Sequence, residues 1–372
     1  MAERADVLII GGGVIGLTTA YCLAREGVRV AVVDRGDLGQ EASWAGAGII
    51  SPGNPKRAHT PIGRLRALSA ELFPTLSAEL RERTGIDNGY LRCGGLELQR
   101  SGDELERQRV ANLLTEERGE GARCEVLDGP QLRTLEPALS ADLPGAILFP
   151  EMAQLRNPRH LKALIAACGR LGVRLRPGCP VHGFARTGGR ITAAESADGP
   201  LAADRYLVAA GAWSDSLLQA VGWRVPVRPV RGQIALLSVA PPLFSRVLMA
   251  GAQYLVPRPD GRVLVGSTEE EVGFDKRTTA EAIHGLLALA IRLVPGLAAA
   301  QVERCWAGLR PGSPDGRPFL GPVPGWDNLF IAAGHFRSGI QLSPGTALVM
   351  TDLLLDRPPR VSLDAFRPGR PV

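Results

Sequence analysis

Lysine is almost missing from this sequence: Lys56, Lys162 and Lys276 are the only ones among 43 basic residues. The arginines that stand in for it are scattered, with one modest cluster in the proline-rich stretch "RPPRVSLDAFRPGRPV", so the net charge of +5 is diffuse. Nucleic acid is therefore not an expected partner, since its binders concentrate basic charge on one face. The bias reads as composition rather than function. Paired cysteines are missing as well. Cys22, Cys93, Cys124, Cys168, Cys179 and Cys305 form no C-x-x-C motif, which argues against a zinc site or a redox dithiol, and no metal is expected. There is no apolar run of membrane length either, because the most apolar later stretch, Ala282–Ala300, is broken by His284, Arg292 and Pro295. The first apolar run, Val7–Ile10, is too short for a signal-peptide core and sits directly before a glycine loop. A soluble, cytoplasmic chain is expected. Its 372 residues, 45% of them hydrophobic, suffice for two closely connected domains.

"DVLIIGGGVIGLTTAYCLAREGVRVAVVDRG" (Asp6–Gly36) reads as strand, glycine turn, helix and strand. Val7–Ile10 is a continuous apolar run suited to a central parallel strand, Leu17–Glu26 is helical, and Val28–Val33 is a second strand ending at Asp34. Gly11, Gly13 and Gly16 supply G-x-G-x-x-G, which lets backbone approach a pyrophosphate and turns a helix N-terminus toward its charge. Asp34, 18 residues after Gly16, is placed to accept from a ribose hydroxyl. The glycines alone are weak evidence, but strand, loop, helix, strand and terminal acid in register are strong. The loop does not distinguish FAD from NAD(P). The next segment does, because "GQEASWAGAGIISPGNP" (Gly39–Pro55) puts small residues where a nicotinamide domain would continue with helix and strand. Ser43 and the Gly46–Gly48 backbone can donate hydrogen bonds to a cofactor lying along them. Trp44 and Ile49-Ile50 predict packing rather than a loose loop.

Further along, "NPRHLKALIAACGRLGVRLRPGCPV" predicts a helix opened by Asn157 and Pro158, closed near Gly172, and a short strand reaching Val181. "RYLVAAGAWSD" reads as another buried strand running into a glycine turn and helix, the usual return to a parallel sheet. "QYLVPRPDGRVLVGSTEE" (Gln253–Glu270) is a β-hairpin around Pro259-Asp260-Gly261, which belongs in an antiparallel sheet. In "WAGLRPGSPDGRPFLGP" (Trp306–Pro322), Arg310 sits in a segment that otherwise reads as buried turns and strand. A guanidinium keeps its charge and needs a partner. The nearest acid in sequence is Asp315; the alternative is a ligand.

The glycine loop, "EASWAGAGII", "VAAGAWSD", "RPVRGQ", "WAGLRPGSPDGRPFLGP" and "AAGHFRSGIQLSP" together resemble the FAD-dependent D-amino acid oxidase family, most of all its glycine oxidase branch associated with thiamine biosynthesis. The resemblance covers nearly the whole chain in order. It implies an α/β fold: a Rossmann-like FAD-binding domain, at 1–88, 152–225 and 310–365, interleaved with a mainly antiparallel substrate domain at 89–151 and 226–309, and a tail at 366–372. Against the cofactor it places Gly11, Gly13, Val14, Ile15, Gly16, Asp34, Arg35, Ser43, Gly46, Ala47 and Gly48. It adds Val181, Gly211, Trp213, His335, Arg337, Ser338, Gly339, Ile340, Gln341 and Leu342. A long helix is expected from about Ser343, its positive end and the amides near Ser338–Leu342 facing the flavin. Members with covalent flavin carry a cysteine where this chain has Gly308, so non-covalent FAD is implied.

By the same resemblance Arg310 pairs with a substrate carboxylate through its planar fork, Tyr254 donates to the same group, and Arg337 lines the site or supports it. His335 is expected to be structural, because hydride transfer from a neutral amine needs no nucleophile or relay. Two departures stand out. Met249 occupies the place of a second tyrosine, which widens the entrance, and Glu269, where a neutral or basic residue is usual, could face a cationic or secondary amine. The implied activity is oxidation of glycine or an N-substituted glycine, such as a bulky N-carboxymethyl amine, to glyoxylate and amine, with oxygen as acceptor and hydrogen peroxide as product. Two alternatives are a tRNA carboxymethylaminomethyl-type demodifying flavoenzyme and a flavin dehydrogenase subunit passing electrons to a partner. Assembly into a homo-oligomer is left open.

Overall fold

The computed structural model describes residues 4–372. β1 (Ala5–Ile10) is buried on both faces: Val7 and Ile9 pack into one core, Leu8 and Ile10 into another. Apolar side chains are needed on both sides of such a strand, which is why the run is continuous rather than alternating. β1 lies parallel to β2 (Val30–Val33) and to Ala203–Val208. Arg174–Arg176 extends the sheet beyond β2 and Leu329–Ala333 extends it on the other side, both in parallel, while Phe319–Pro322 closes it antiparallel. Helices α1 (Val14–Arg25), Asn157–Arg170 and Gly339–Leu354 cover one face, and the three-stranded sheet Val181–Thr187, Arg190–Ser196 and Gly199–Leu201 covers the other.

A second, eight-stranded sheet runs in the order Gln301–Gly312, Arg228–Ser238, Arg262–Gly266, Gln253–Pro257, Val247–Ala250, Gly95–Gln99, Gly145–Phe149 and Glu125–Asp128. All its pairings are antiparallel except that of Val247–Ala250 with Gly95–Gln99. Helix Ala280–Leu293 seats Leu286, Leu289 and Leu293 on Ala235, Leu237, Leu255 and Val265. Each such leucine contributes roughly 1.5–3 kcal/mol when removed from water.

Several boundaries move. α1 opens at Val14, directly after Gly13, rather than at Leu17, and β2 opens at Val30 rather than Val28. The hairpin ladder stops at Gly266, so Glu269 lies beyond it in an irregular strap over residues 267–279. The helix expected from about Ser343 begins at Gly339 and runs through Pro344. Pro344 has no N–H for the Ile340 carbonyl, but the Ser343 hydroxyl donates to that oxygen at 2.9 Å, so the helix is not interrupted there.

Asp315 is not the partner of Arg310. It accepts from Arg370 Nε and Nη2, both at 2.9 Å, and from Arg317 Nε at 3.0 Å. Arg370 also lies 3.9 Å from the centre of the Phe319 ring. Burial raises the Asp315 carboxyl, but Arg370 and Arg317 outweigh it and hold it at about 2. A depressed carboxylate stabilises the fold above its ordinary value of 3.8 and stops doing so as pH falls through about 2. Arg370→Ala is therefore expected to cost about 2 kcal/mol, the scale of charge-assisted hydrogen bonds. Urea unfolding checks this: the gap from wild type should be full at neutral pH and shrink below the ordinary carboxylate range.

Candidate active site

A cavity of about 630 Å³ is lined from both large sheets, within the roughly 300–1,000 Å³ common for cofactor and ligand sites. At one end lie Gly11, Gly13, Val14, Ile15, Asp34, Arg35 and Ser43. The turn after β1 is tight because Gly11 has φ +115°, a conformation open to glycine. The first-turn amides of α1 have no intrahelical partner. Val14 N–H is taken by Ser43 Oγ at 2.9 Å, which ties the small-residue loop to the helix start. Asp34, at the end of β2, accepts from Gly12 N at 2.7 Å and Gly36 N at 3.0 Å, so its carboxylate is fixed beside the glycine turn. Gly16 lies off the cavity: a Cβ there would stand 2.0 Å from the Gly11 carbonyl oxygen, so its part is helix-to-strand packing. Val181, Gly211 and Trp213 line the same end. Trp213 stacks on Phe274 at 5.2 Å and carries the Arg35 guanidinium 3.6 Å from its ring centre.

Gly46, Ala47 and Gly48 form the middle wall. Arg258, a residue that the sequence did not single out, fixes that wall: it is buried and donates to the Ala47 carbonyl at 2.8 Å, the Leu155 carbonyl at 3.0 Å and Gln154 Oε1 at 2.6 Å. Burial brings its guanidinium down to about 10. Trp44 packs edge-on against Trp306 at 5.5 Å, and Ile50 is buried, so the loop is a packed one.

Arg310 occupies the other end. Nη1 donates to the Thr268 carbonyl at 2.9 Å, Nη2 donates to the Ser267 hydroxyl, and Tyr254 is a further hydrogen-bond partner. All three are neutral, and among the described residues no carboxylate forms an ion pair with Arg310. Burial lowers its pKa, and burial likewise raises that of Tyr254. Two glycines make room for the pair. A Cβ at Gly232 would stand 2.3 Å from Arg310 Nη2, and one at Gly266, paired across the ladder with Tyr254, would meet that ring at 2.8 Å. Met249 lines the cavity opposite Tyr254 in register.

Segment 335–341 closes this end. His335, Arg337, Ser338, Gly339, Ile340 and Gln341 all line the cavity, and Phe336 has φ +48°, a left-handed conformation uncommon for a non-glycine residue. His335 is buried against Thr346 Oγ1 at 3.1 Å, and burial brings it down to about 3, so it is neutral. The Gln341 amide is spent on the Ser51 backbone, accepting at 2.7 Å and donating at 2.9 Å. The Leu342 side chain points into the helical core rather than the cavity, which leaves its backbone amide as the group it could offer a cofactor. Glu269 does not itself line the cavity; it borders it through an ion pair with Arg337, which does, while Glu270 pairs with Arg231 and Glu271 with Arg228, so each acid of the run is claimed by an arginine.

A glycine turn at a helix start, a fixed carboxylate at the end of β2 and a small-residue wall make a cradle for a dinucleotide, and Arg310 adds a half-buried guanidinium at the other end. The donor set fits FAD. Fold and site thus define a dinucleotide-binding protein with a guanidinium at the far end of the cofactor cavity. Residues 6–353 match the family described as FAD dependent oxidoreductase, and the chain belongs to this family, the D-amino acid oxidase type. It is 40% identical over 364 residues to a glycine oxidase of Pseudomonas putida, with 98% of each chain covered. The crystal structure of glycine oxidase from Geobacillus kaustophilus superposes with a TM-score of 0.94 at 34% identity over 100% of both chains. That of iminodiacetate oxidase from Chelativorans sp. gives 0.86 at 31% identity, covering 97% of this chain and 98% of that one. No described helix is long and apolar enough to cross a membrane.

Proposed function

We propose that this protein oxidises glycine or an N-substituted glycine at the bond between the α-carbon and nitrogen. The observation that carries the reading is Arg310: a half-buried guanidinium that hydrogen-bonds only neutral protein groups, at the end of the cavity away from the glycine turn. Its fork and the Tyr254 hydroxyl bind the substrate carboxylate, fixing both oxygens and so the direction of the α-carbon. FAD, held by the glycine turn and the small-residue wall, would supply the hydride acceptor, with oxygen as the final acceptor and hydrogen peroxide as its product. The rest is positioning. Met249, Ile234 and Ile49 leave apolar room beside the carboxylate site for a group on the nitrogen. Neutral His335 and the start of helix Gly339–Leu354 form the wall with positive backbone polarity. The FAD-binding part is read as 1–88, 152–225 and 310–365, and the substrate-binding part as 89–151 and 226–309.

Non-covalent attachment follows from Gly308, where a Cβ would already stand 2.5 Å from the Ala45 Cβ. The purified chain should be yellow, and denaturation should release FAD into the supernatant. The function is tested by anaerobic bleaching of the flavin with glycine, sarcosine, D-alanine and larger N-carboxymethyl amino acids, followed by peroxide assay on admitting oxygen. Glycine or an N-substituted glycine should bleach fastest; bleaching by none of them overturns the reading.

A further inference from the structure

Two guanidinium groups, not one, border the substrate end of the cavity. Arg310 binds the strap through Thr268, and Arg337 lines the wall next to it, 5.2 Å from the centre of the Phe336 ring. They are close enough to sense each other: the charge of Arg337 disfavours that of Arg310, and Glu269 offsets this. With both arginines free, the pocket would be a receptor for a dianion. Glu269 cancels one of them. Its position is held from both sides, because the Thr268 carbonyl accepts from Arg310 at 2.9 Å and Glu270 exchanges two backbone hydrogen bonds with Arg231, at 2.9 and 3.0 Å. The Glu269–Arg337 pair itself is open to solvent, with side chains 38% and 51% exposed, so it adds little to stability. Its consequence lies in the charge presented to a ligand.

We propose that Glu269 is a specificity-determining residue: by holding Arg337 in an ion pair it leaves one anchoring cation, Arg310, and selects glycines whose nitrogen substituent carries no second carboxylate. The inference rests on the glycine-type reading above. A second carboxylate entering beside Arg337 must either displace Glu269 or lie against its negative charge, which is discrimination by repulsion rather than by shape. A neutral or cationic substituent meets no such obstacle. Glu269 thus acts through Arg337 and is a positioning residue, not one that touches the reacting atoms.

The test uses the FAD-loaded full chain and two anions that mimic the substrate, glycolate with one carboxylate and diglycolate with two, titrated by the change in flavin absorbance. Wild type should bind diglycolate no more tightly than glycolate. Glu269→Gln should tighten diglycolate relative to glycolate by about tenfold, and added salt at about 0.5 M should erode that gain. The ratio of kcat/KM for iminodiacetate over sarcosine should rise with it, through KM rather than kcat. Removing Arg337 as well, in Glu269→Gln with Arg337→Gln, should abolish the gain. Should Glu269→Gln fold poorly, Arg337→Gln alone decides: it leaves Glu269 unneutralised and should weaken glycolate several-fold. An unchanged diglycolate-to-glycolate ratio in Glu269→Gln, or unchanged glycolate binding in Arg337→Gln where only that variant folds, overturns the inference even if glycine or sarcosine is oxidised. Failure of wild type to oxidise any glycine overturns instead the reading it rests on.

Discussion

Arg310→Ala should lower kcat/KM by about 30- to 5,000-fold while FAD stays bound, corresponding to the roughly 2–5 kcal/mol lost when one partner of a buried charge pair is truncated. The size follows from what else could hold a carboxylate there. Tyr254 contributes one hydrogen bond, and Arg337 is engaged by Glu269, so no second guanidinium is free to take over. The fold should survive, because the groups left behind are a carbonyl and two hydroxyls rather than an unpaired acid. Arg258 provides the contrast. It is the more buried of the two, and its removal would strand two carbonyls and a side-chain amide in the wall beside the cofactor, so Arg258→Ala should loosen FAD and stability together. Arg310→Lys keeps the charge and loses the fork, and should fall between wild type and alanine. The measurement is steady-state kinetics on a glycine-type substrate with FAD content determined on the same sample. Near-normal kcat/KM for Arg310→Ala would return Arg310 to a structural role.

What was legible in the sequence is what local spacing encodes. β1, the glycine turn, α1 and β2 are consecutive, and strand burial, glycine placement and the terminal acid can each be checked within 30 or so residues. Arg310 was legible as an anomaly, a permanent charge in a segment patterned for burial. That Asp315 is not its partner was not, because that carboxylate is claimed by Arg370, 55 residues away. The partner of Glu269 was illegible for the same reason. A run of acids reads as a solvated surface or a site, whereas its partner Arg337 lies 68 residues away on a different element. Ser267 and Thr268 carry no signal at all, since one uses a hydroxyl and the other a backbone carbonyl to hold Arg310. Gly232 did carry one: it stands in "RPVRGQ", and a glycine inside a strand marks a close approach, here that of the Arg310 guanidinium.

The three motif glycines should separate by mutation into one that serves the ligand and two that serve the fold. Gly13→Val is expected to abolish FAD retention while leaving the apoprotein about as stable as apo wild type. Gly13 has φ −76°, which any residue can adopt, and the only protein atom near a Cβ there is Ser43 Oγ at 3.2 Å. An added side chain therefore enters the cavity, where the cofactor's pyrophosphate must come close to the backbone. Gly16 and Gly11 differ. A Cβ at Gly16 would lie 2.0 Å from the Gly11 carbonyl oxygen, and one at Gly11, whose φ is +115°, would lie 2.3 Å from that of Ala209. Those neighbours are backbone and cannot step aside, so strand β1, helix α1 or the Ala203–Val208 strand would have to move. Overpacking costs about 1–3 kcal/mol, and backbone strain at Gly11 adds about as much again. Gly16→Ala and Gly11→Ala should thus lower the urea midpoint of the apoprotein, and Gly11→Ala should lower it further. FAD content and apoprotein unfolding, measured on all three variants, give the comparison. A Gly13→Val protein that purifies with a full complement of FAD would show that the cofactor does not lie against this turn, and a Gly16→Ala apoprotein as stable as wild type would show that α1 is not packed on β1 as closely as 2.0 Å requires.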